Sequence, residues 1–466
     1  MAPLSRFFQG NALTHADIAK VNVTEILVSQ VHGIDPKKLP ADVLEAARHS
    51  LLDWCGIAIA GATEPLVLKL IEEAREQGGH PLCTVIYHGE RTSPAYAALI
   101  NGSAGDALDF ADSNLAMRGH TTPAVVATAL AVGEARDISG LDLLGAIVAG
   151  VETGCRVGTL VNFPFLKKGF HPTGNLVPFG ATAAAAHLLG LSAQQWAHAL
   201  GIAATQAAGL LASGGTMSKP FHSGKAATNG VLAANLAKRD WIARANAIEA
   251  NDGFIETHAA GAHVDRLREA EGRFFILDTL FKAHAACQLT HSTIENMLEL
   301  KNTQGVTPAN IETIEVQVPP NFLTVCNIQE PKTGLESKFS LRAVSAMALL
   351  GDDTHDIAAY NAERANSPEL IKLRDRVHVV ARDDLSGGVA VANVQLNDGR
   401  KLSATNDCYK PLRNLAKQRE VVSQKFMRLV SPKLGRDRAD KLLRQILKVD
   451  TLSSVRQLIP LTLKQG

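Results

Sequence analysis

Apolar residues in the first half of the chain return every three or four positions, the spacing that places them on one face of a helix. After Pro40, for example, Val43, Ala47 and Leu51 share a face. The same pattern predicts further helices over residues 64–77, 94–110, 122–136, 141–157, 175–189, 193–212 and 224–238. The first half of the chain is therefore predicted to be almost entirely helical.

Large side chains are rare on the faces of these predicted helices. The stretches 181–186 and 203–209 consist mostly of alanine, with threonine, glutamine and glycine between. Short side chains allow helix axes to approach closely and pack densely. The pattern therefore predicts a compact bundle of buried helices.

The pattern changes near residue 280, where strands join the helices. Apolar and polar residues alternate over 311–318 and 389–396, and the second stretch runs into an Asn-Asp-Gly-Arg turn at 397–400 before residues 401–404. Helices are predicted between the strands near 290–300 and 337–350. This part of the chain is predicted to form an α+β unit of about 130 residues, an ordinary domain size.

From Pro411 to Leu461 the pattern is helical again and rich in charge. We therefore predict a mainly α fold, with a large helical domain over 1–278, a smaller α+β lid domain over 279–410, and C-terminal helices over 411–466 that return to the helical domain. A cleft between two domains is a common place for a small-molecule site.

The composition of the chain limits the classes of binding partner that we expect. The chain has 466 residues, 46% of them hydrophobic, and 47 Lys+Arg against 46 Asp+Glu give a net charge of +1. That balance provides no general field to attract nucleic acid or an anionic membrane, so we expect neither as a partner. Apolar stretches such as 124–132 are too short to span a bilayer, and the N-terminus lacks the long apolar run of a secretory signal.

Six cysteines stand far apart with no Cys-x-x-Cys pair. This spacing favours neither a disulfide scaffold nor a zinc ribbon. We expect a reducing, cytoplasmic location.

Basic residues gather at the predicted start of a small-residue helix, in the segment 218–230. Lys219, His222 and Lys225 lie within it, and Pro220 suits a first helical turn. Free N–H groups and the positive end of the helix dipole favour an anion at such a place. The segment is either an anion site or a solvated basic surface. No glycine-rich phosphate loop is present, so a carboxylate is the favoured anion.

Acidic and imidazole groups also stand in apolar surroundings. Asp109 and Asp112 can share a helix face or straddle a helix end, where they would either interact as a carboxylate pair or serve as caps. His120 and His171 each precede a predicted helix. Imidazole titrates near neutrality, so these histidines are candidates for proton transfer.

A fourth cluster lies at the predicted junction of the domains. His284, Cys287 and His291 have a spacing that a metal ion could use. Neither a further ligand nor a supporting carboxylate is near in sequence, so we expect no metal site there. Lys282 is better explained as a cation held over the cleft by the hinge.

Five short motifs follow one another along the chain: Leu108-Asp109-Phe110-x-Asp112-Ser113, Gly119-His120, Phe170-His171-Pro172, Ser218-Lys219-Pro220-Phe221-His222-x-Gly224-x-Ala226-Ala227, and Lys282 with Thr290-His291. Their order resembles the 2-methylcitrate dehydratase and cis-aconitate decarboxylase superfamily, MmgE/PrpD, which also includes iminodisuccinate epimerase. The resemblance implies a homodimer with a helical domain and an α+β lid. It also implies small di- or tricarboxylate substrates, with neither a metal nor an organic cofactor.

The resemblance also assigns roles. It implies proton transfer by Asp109 and His120, carboxylate binding by Lys219 and Lys282, and a pocket completed by His171. Asp112 and His222 would support the wall of the substrate pocket. Proton removal beside a carboxylate needs fixed cations and a well-placed base, which this set provides.

The chain departs from the family pattern at several positions, two of which lie in the first motif. The usual Asp-Phe-Asp-Asp-Thr has Ala111 in third place and Ser113 in fifth. We therefore expect a lyase, a dehydratase or decarboxylase of the methylcitrate or aconitate type, without a specified substrate. The alternatives are an epimerase or isomerase of an amino- or imino-dicarboxylate such as iminodisuccinate, and a non-catalytic helical binding protein.

Overall fold

A computed structural model of the chain describes residues 12–161 and 169–464. The chain divides into two compact units, one formed by Met1–Phe281 with Arg413–Gly466 and the other by Lys282–Leu412. The sequence placed these boundaries after residues 278 and 410. The predicted fold class, mainly α with a smaller α+β part, is confirmed.

Before the second unit, the described residues form the helices α1 (His15–Ile18), α2 (Val23–Val31), α3 (Ala41–Gly61), α4 (Pro65–Gln77), α5 (Pro94–Ala104), α6 (Thr122–Arg136), α7 (Gly140–Val161), α8 (Pro172–Leu188), α9 (Ala193–Gln206), α10 (Ser218–Ala237), α11 (Phe254–His258) and α12 (Val264–Glu269). Two short antiparallel pairs accompany them, β1 (Cys83–Thr84) with β2 (Arg91–Thr92) and β3 (Ser113–Asn114) with β4 (Thr279–Leu280).

Three predicted helix ends beside the site described below were wrong by six residues. α5 ends at Ala104 instead of residue 110, α9 ends at Gln206 instead of residue 212, and α10 begins at Ser218 instead of residue 224. Gly105 follows α5 directly, and glycine has little tendency to continue a helix. The chain therefore leaves α5 early and turns before it reaches Asp109.

The core of the first unit consists of helices that are buried on nearly every side. Almost all residues of α6, α7 and α8 are buried, and α8 packs against both α7 and α10. By length and composition α7 could cross a membrane, but its apolar window is 100% buried inside the protein, as in an ordinary core helix. If α3 and α4, which bend by 84°, are counted as one span, the described residues contain two such candidates.

The second unit is built around a four-stranded sheet. Its strands are β5 (Ile311–Val318), β6 (Val377–Ala381), β7 (Val389–Leu396) and β8 (Lys401–Asp407), in the order β6-β5-β7-β8. β6 runs parallel to β5, and the other neighbours are antiparallel. Its helices are α13 (His291–Gln304), α14 (Pro320–Val325), α15 (Gly334–Lys338), α16 (Leu341–Leu350), α17 (Ala362–Ala365) and α18 (Pro368–Arg374).

The chain then returns to the first unit through α19 (Leu415–Leu434) and α20 (Arg436–Ile446). α19 packs along α3 and buries Val422, Phe426 and Leu429. Lys425 lies on the same buried face, which is unusual for a lysine.

Candidate active site

The site forms where the turn after α5 meets the first turn of α10. A Cβ at Gly224 of α10 would lie 2.1 Å from the Leu99 carbonyl oxygen and 2.2 Å from Ser103 Oγ. No larger residue fits there, so the glycine lets the two helices touch. This contact brings Asp106 beside Lys219.

Lys219 is the cation at the centre of the site. Its Nζ donates to Asp106 Oδ1 at 2.9 Å and to Asp109 Oδ1 at 3.0 Å. The other oxygen of Asp106 accepts a hydrogen bond from Ser223 Oγ at 2.8 Å. The sequence predicted that Lys219 faces an anion, and the structure places two carboxylates of the protein beside it.

Charge balance keeps this ion cluster stable. Burial favours the neutral form of Asp106, but the charge and hydrogen bond of Lys219 outweigh it, so the pKa of Asp106 is lowered. Burial likewise opposes the charge on Lys219, but the two carboxylates raise its pKa above the ordinary lysine value. Asp106 is 1% exposed, whereas the side chain of Asp109 is 21% exposed. Asp106 is thus the fixed partner of Lys219, and Asp109 is the accessible one.

The backbone at Asp109 has a left-handed conformation, with φ of 53°. Such values are uncommon outside glycine, although aspartate tolerates them better than most residues. The turn begins with a hydrogen bond from the Asp109 N–H to the Asp106 carbonyl at 3.2 Å. This turn after the end of α5 aims the carboxylates of Asp106 and Asp109 at Lys219.

One ring nitrogen of His120 is fixed by a hydrogen bond to the backbone. Its Nδ1 lies 2.6 Å from the Asp112 carbonyl oxygen, and its backbone N–H donates to Thr173 Oγ1 at 3.1 Å. A carbonyl oxygen only accepts, so Nδ1 carries a hydrogen. Proton exchange by His120 is therefore left to Nε2.

Asp112 is held inside the protein by hydrogen bonds to two threonines. Its carboxylate is fully buried and accepts from Thr121 Oγ1 at 2.8 Å and from Thr122 Oγ1 at 2.5 Å. Burial, with a smaller contribution from the charge of Asp53, raises the pKa of Asp112 to about 6. Asp112 is thus an internal anchor of the 112–122 loop, and its support of the substrate pocket wall stays a prediction.

His171 and His222 form a pair of imidazoles. Their Nδ1 atoms lie 2.9 Å apart, so in the neutral pair one ring donates and the other accepts. Burial first, then the nearby charge of Lys219, lowers the pKa of His171 to about 3, and burial also lowers the pKa of His222. His171 is therefore a neutral hydrogen-bonding group at physiological pH. His222 is its hydrogen-bond partner.

The remaining candidates are distributed differently. Lys225 is exposed on α10. Lys282 is buried and is the first residue of the second unit, so its role in substrate binding stays a prediction. In the same unit, the two ring nitrogens of His284 contact Thr354 Oγ1 at 2.8 Å and Glu295 Oε1 at 3.0 Å.

One group of donors in the described part of the chain converges closely enough for a metal ion. A carboxylate oxygen from each of Asp106 and Asp109 and a ring nitrogen of His120 lie within 4.8 Å of one another. The ammonium of Lys219 already contacts both carboxylates. A metal ion would have to displace or face this cation, so the donor set fits the lysine better than a metal.

Asp106 and Ser223 received no role from the sequence. Asp106 stands three residues before Asp109, the same spacing that drew attention to Asp109 and Asp112, so this signal was readable. Ser223 carries no such signal, since its importance depends on which face of α10 is buried.

The comparisons with known proteins identify the family. Residues 25–267 match the MmgE/PrpD N-terminal domain, and residues 284–450 match the MmgE/PrpD C-terminal domain. The chain belongs to the MmgE/PrpD family. The resemblance drawn from the five motifs is thus confirmed.

Several individual relatives are named as cis-aconitate decarboxylases or as proteins like them. The chain is 25% identical over 457 residues to a cis-aconitate decarboxylase of Mus musculus, covering 92% of this chain and 91% of that protein. It is 26% identical over 477 residues to a cis-aconitate decarboxylase of Aspergillus terreus, covering 95% and 96%. A cis-aconitate decarboxylase-like protein of Aspergillus oryzae is 32% identical over 234 residues, 47% of this chain and 48% of that protein. These likenesses support an enzyme of the MmgE/PrpD family.

Proposed function

We propose that this MmgE/PrpD protein is a lyase that decarboxylates a small unsaturated tricarboxylate of the cis-aconitate class. The observation that carries the proposal is the placement of the Lys219 ammonium between Asp106 and Asp109, with a nitrogen of His120 within 4.8 Å of both carboxylates. Lys219, a cation that can bind a substrate carboxylate, thus lies close to His120, a group that can transfer a proton to carbon. The names of the full-length relatives support the same chemistry.

In the proposed complex, a substrate carboxylate takes the place of Asp109 on Lys219. Asp106 is buried and also bonded to Ser223, so it stays. Asp109 is partly exposed and can turn away. The exchange keeps the charge around the ammonium unchanged, and it releases Asp109 beside the bound substrate.

The chemical step then needs one proton at carbon. When the carboxylate on the methylene carbon beside the alkene leaves as carbon dioxide, the electron pair of its C–C bond forms a new double bond from that carbon to the near alkene carbon. The old double bond moves its pair to the far alkene carbon, which takes up a proton. His120 Nε2, fixed by the hydrogen bond from Nδ1 to the Asp112 carbonyl oxygen, is the proposed proton donor, and Asp109 is the group proposed to share in that transfer. Neutral His171 adds a hydrogen-bonding group without adding charge.

The proposal is tested by incubating the protein with cis-aconitate and following carbon dioxide release and the proton NMR spectrum. We expect stoichiometric carbon dioxide and a product with a new terminal alkene. Lys219→Met should lower the rate at least 10²-fold, as expected for loss of a preorganised charge contact. Lys225→Met is the matched control, because Lys225 is exposed on the same helix, and it should keep the wild-type rate.

Loss of Lys219 leaves Asp106 buried without its cation, so folding must be checked separately. The paired variant Asp106→Asn/Lys219→Met removes both charges, and we expect it to fold and to stay inactive. Full activity of the paired variant would contradict the proposal. A substrate panel that includes a hydroxytricarboxylate and an amino-dicarboxylate would reveal dehydration, or inversion at constant mass, in place of decarboxylation.

A further inference from the structure

A buried lysine lies behind the candidate site, on the C-terminal helix α19. Lys425 Nζ donates to the Phe110 carbonyl oxygen at 2.8 Å and lies 2.7 Å from Asp53 Oδ1. The ammonium also lies 3.9 Å from the centroid of the Phe110 ring. The side chains of Lys425 and Asp53 are 4% and 0% exposed. The first unit therefore holds a nearly dry ion pair against the backbone of the residue after Asp109.

Stability alone is a poor explanation for such a pair. Removing two charges from water costs about as much as their attraction returns, and well-packed apolar residues usually do as well or better. The surrounding face of α19 is apolar, with Val422, Phe426 and Leu429 buried. An apolar side chain at position 425 would suit that face. The lysine therefore has a use that an apolar residue would not have.

The segment from Asp109 to Asp112, which Lys425 contacts, suggests what the lysine does. The Phe110 carbonyl is bonded to Lys425, and two residues later the Asp112 carbonyl is bonded to His120 Nδ1. The Asp112 carboxylate is fastened in turn to Thr121 and Thr122. The segment between Asp109 and Asp112 is thus fixed from behind at successive points, while Asp109 itself has a left-handed backbone.

We infer that Lys425, held by Asp53, is a positioning residue that keeps Asp109 and the His120 ring in their working orientations. It acts through the Phe110 carbonyl and has no contact of its own with a substrate in this scheme. A cation on the last part of the chain thereby controls a loop about 300 residues earlier. The link to turnover rests on the proposed function, whereas the link to the His120 ring does not.

The test separates the ion pair from the hydrogen bond to Phe110. Lys425→Met keeps the length of the side chain but leaves Asp53 buried without its cation. Asp53→Asn/Lys425→Met removes both charges and still lacks the donor to the Phe110 carbonyl. Lys417→Met, exposed on the same helix, is the matched control. The readouts are the melting temperature, kcat and KM for cis-aconitate, and the 15N shifts of the His120 ring.

We expect Lys425→Met to melt at a lower temperature and the paired variant to regain most of that loss. In both variants kcat should fall about 10²-fold, the effect of a misplacement of about 1 Å, with KM changed less than about threefold. The His120 shifts should show loss of the single Nδ1–H form. Recovery of kcat in the paired variant together with its melting temperature would overturn the inference, because the pair would then be purely structural.

The NMR arm also keeps the inference separate from the proposed function. If the wild-type protein does not decarboxylate cis-aconitate, the proposed function fails, and the His120 shifts still decide the positioning role. An unchanged His120 tautomer in the paired variant would overturn that role. An altered tautomer would support it.

Discussion

Asp109→Asn should make the protein bind an unreactive carboxylate more tightly while it abolishes turnover. In the free protein Asp109 Oδ1 accepts a hydrogen bond from Lys219 Nζ at 3.0 Å, so a ligand carboxylate has to displace Asp109 from the ammonium. Asparagine removes that competing charge. It keeps an oxygen that can still accept from Lys219, and Asp106 remains as the buried partner, so we expect the variant to fold.

The magnitude follows from the geometry. A bound ligand carboxylate and the displaced Asp109 carboxylate beside it stand about 5 Å apart, and their repulsion is about 1 kcal/mol at the dielectric constant of water and about 3 kcal/mol at an effective value of about 20. The side chains of Lys219 and Asp109 are 19% and 21% exposed, so solvent screens part of this energy. We therefore expect a gain of about 1–2 kcal/mol, or about 5- to 30-fold in Kd.

The assay is calorimetric titration with tricarballylate, the saturated analogue of aconitate, which has no alkene to react. The gain should shrink at high salt, because its origin is electrostatic. Asp265→Asn, which removes an aspartate with an 84% exposed side chain elsewhere on the same unit, should leave Kd unchanged. Equal or weaker binding by Asp109→Asn would refute the exchange of carboxylates on Lys219.

Three further predictions follow from the same geometry. The pKa of His171 is about 3 in the fold, below the ordinary value of 6.5, so the unfolded chain binds the extra proton first, and stability falls as pH drops from about 6.5 to 3. In urea unfolding at several pH values, His171→Asn should reduce the change in the free energy of unfolding by up to about 1.4 kcal/mol per pH unit. An unchanged pH dependence would count against the burial of a neutral imidazole. Gly224→Ala should lower the free energy of unfolding by about 1–3 kcal/mol, because the new Cβ would lie 2.1 Å from the Leu99 carbonyl oxygen; wild-type stability would show that α5 and α10 are not in close contact. A chelator should leave the rate unchanged, since Lys219 is the cation between Asp106 and Asp109, and inhibition reversed by added metal would revive a metal at those carboxylates.

Much of the fold was readable from apolar spacing. α6 was predicted over its whole length, and the strands at 311–318 and 389–396 matched β5 and β7, because each has one buried face and one mixed face. β6 was missed. Most of its residues are exposed and it lies at the edge of the sheet, so its side chains do not alternate between core and solvent.

The site was less readable, because its central contacts join distant segments. Lys219 stood out by its basic neighbours, but nothing near it in sequence revealed that Asp106 and Asp109 would neutralise it. That contact depends on the close approach of α5 and α10 at Gly224. Asp112 drew attention as a carboxylate near the site, but burial turned it inward.

The burial of Lys425 was predictable from the sequence but was not predicted. Position 425 falls on the apolar stripe formed by Val422, Phe426 and Leu429, so a lysine there was predictably buried. The high overall charge of the C-terminal helices concealed it. Its partners, Asp53 and the Phe110 carbonyl, lie in distant parts of the chain and required the fold.

In the proposed reaction His120, beside Asp109 and Lys219, delivers a proton to carbon as carbon dioxide leaves. The most direct measurement is the initial rate of carbon dioxide release from cis-aconitate by the wild-type protein and by His120→Gln, side by side. We expect steady release by the wild type and a fall of at least 10²-fold in the variant, the usual loss for a general acid or base. Equal rates from the two proteins, or no carbon dioxide from the wild type, would contradict it.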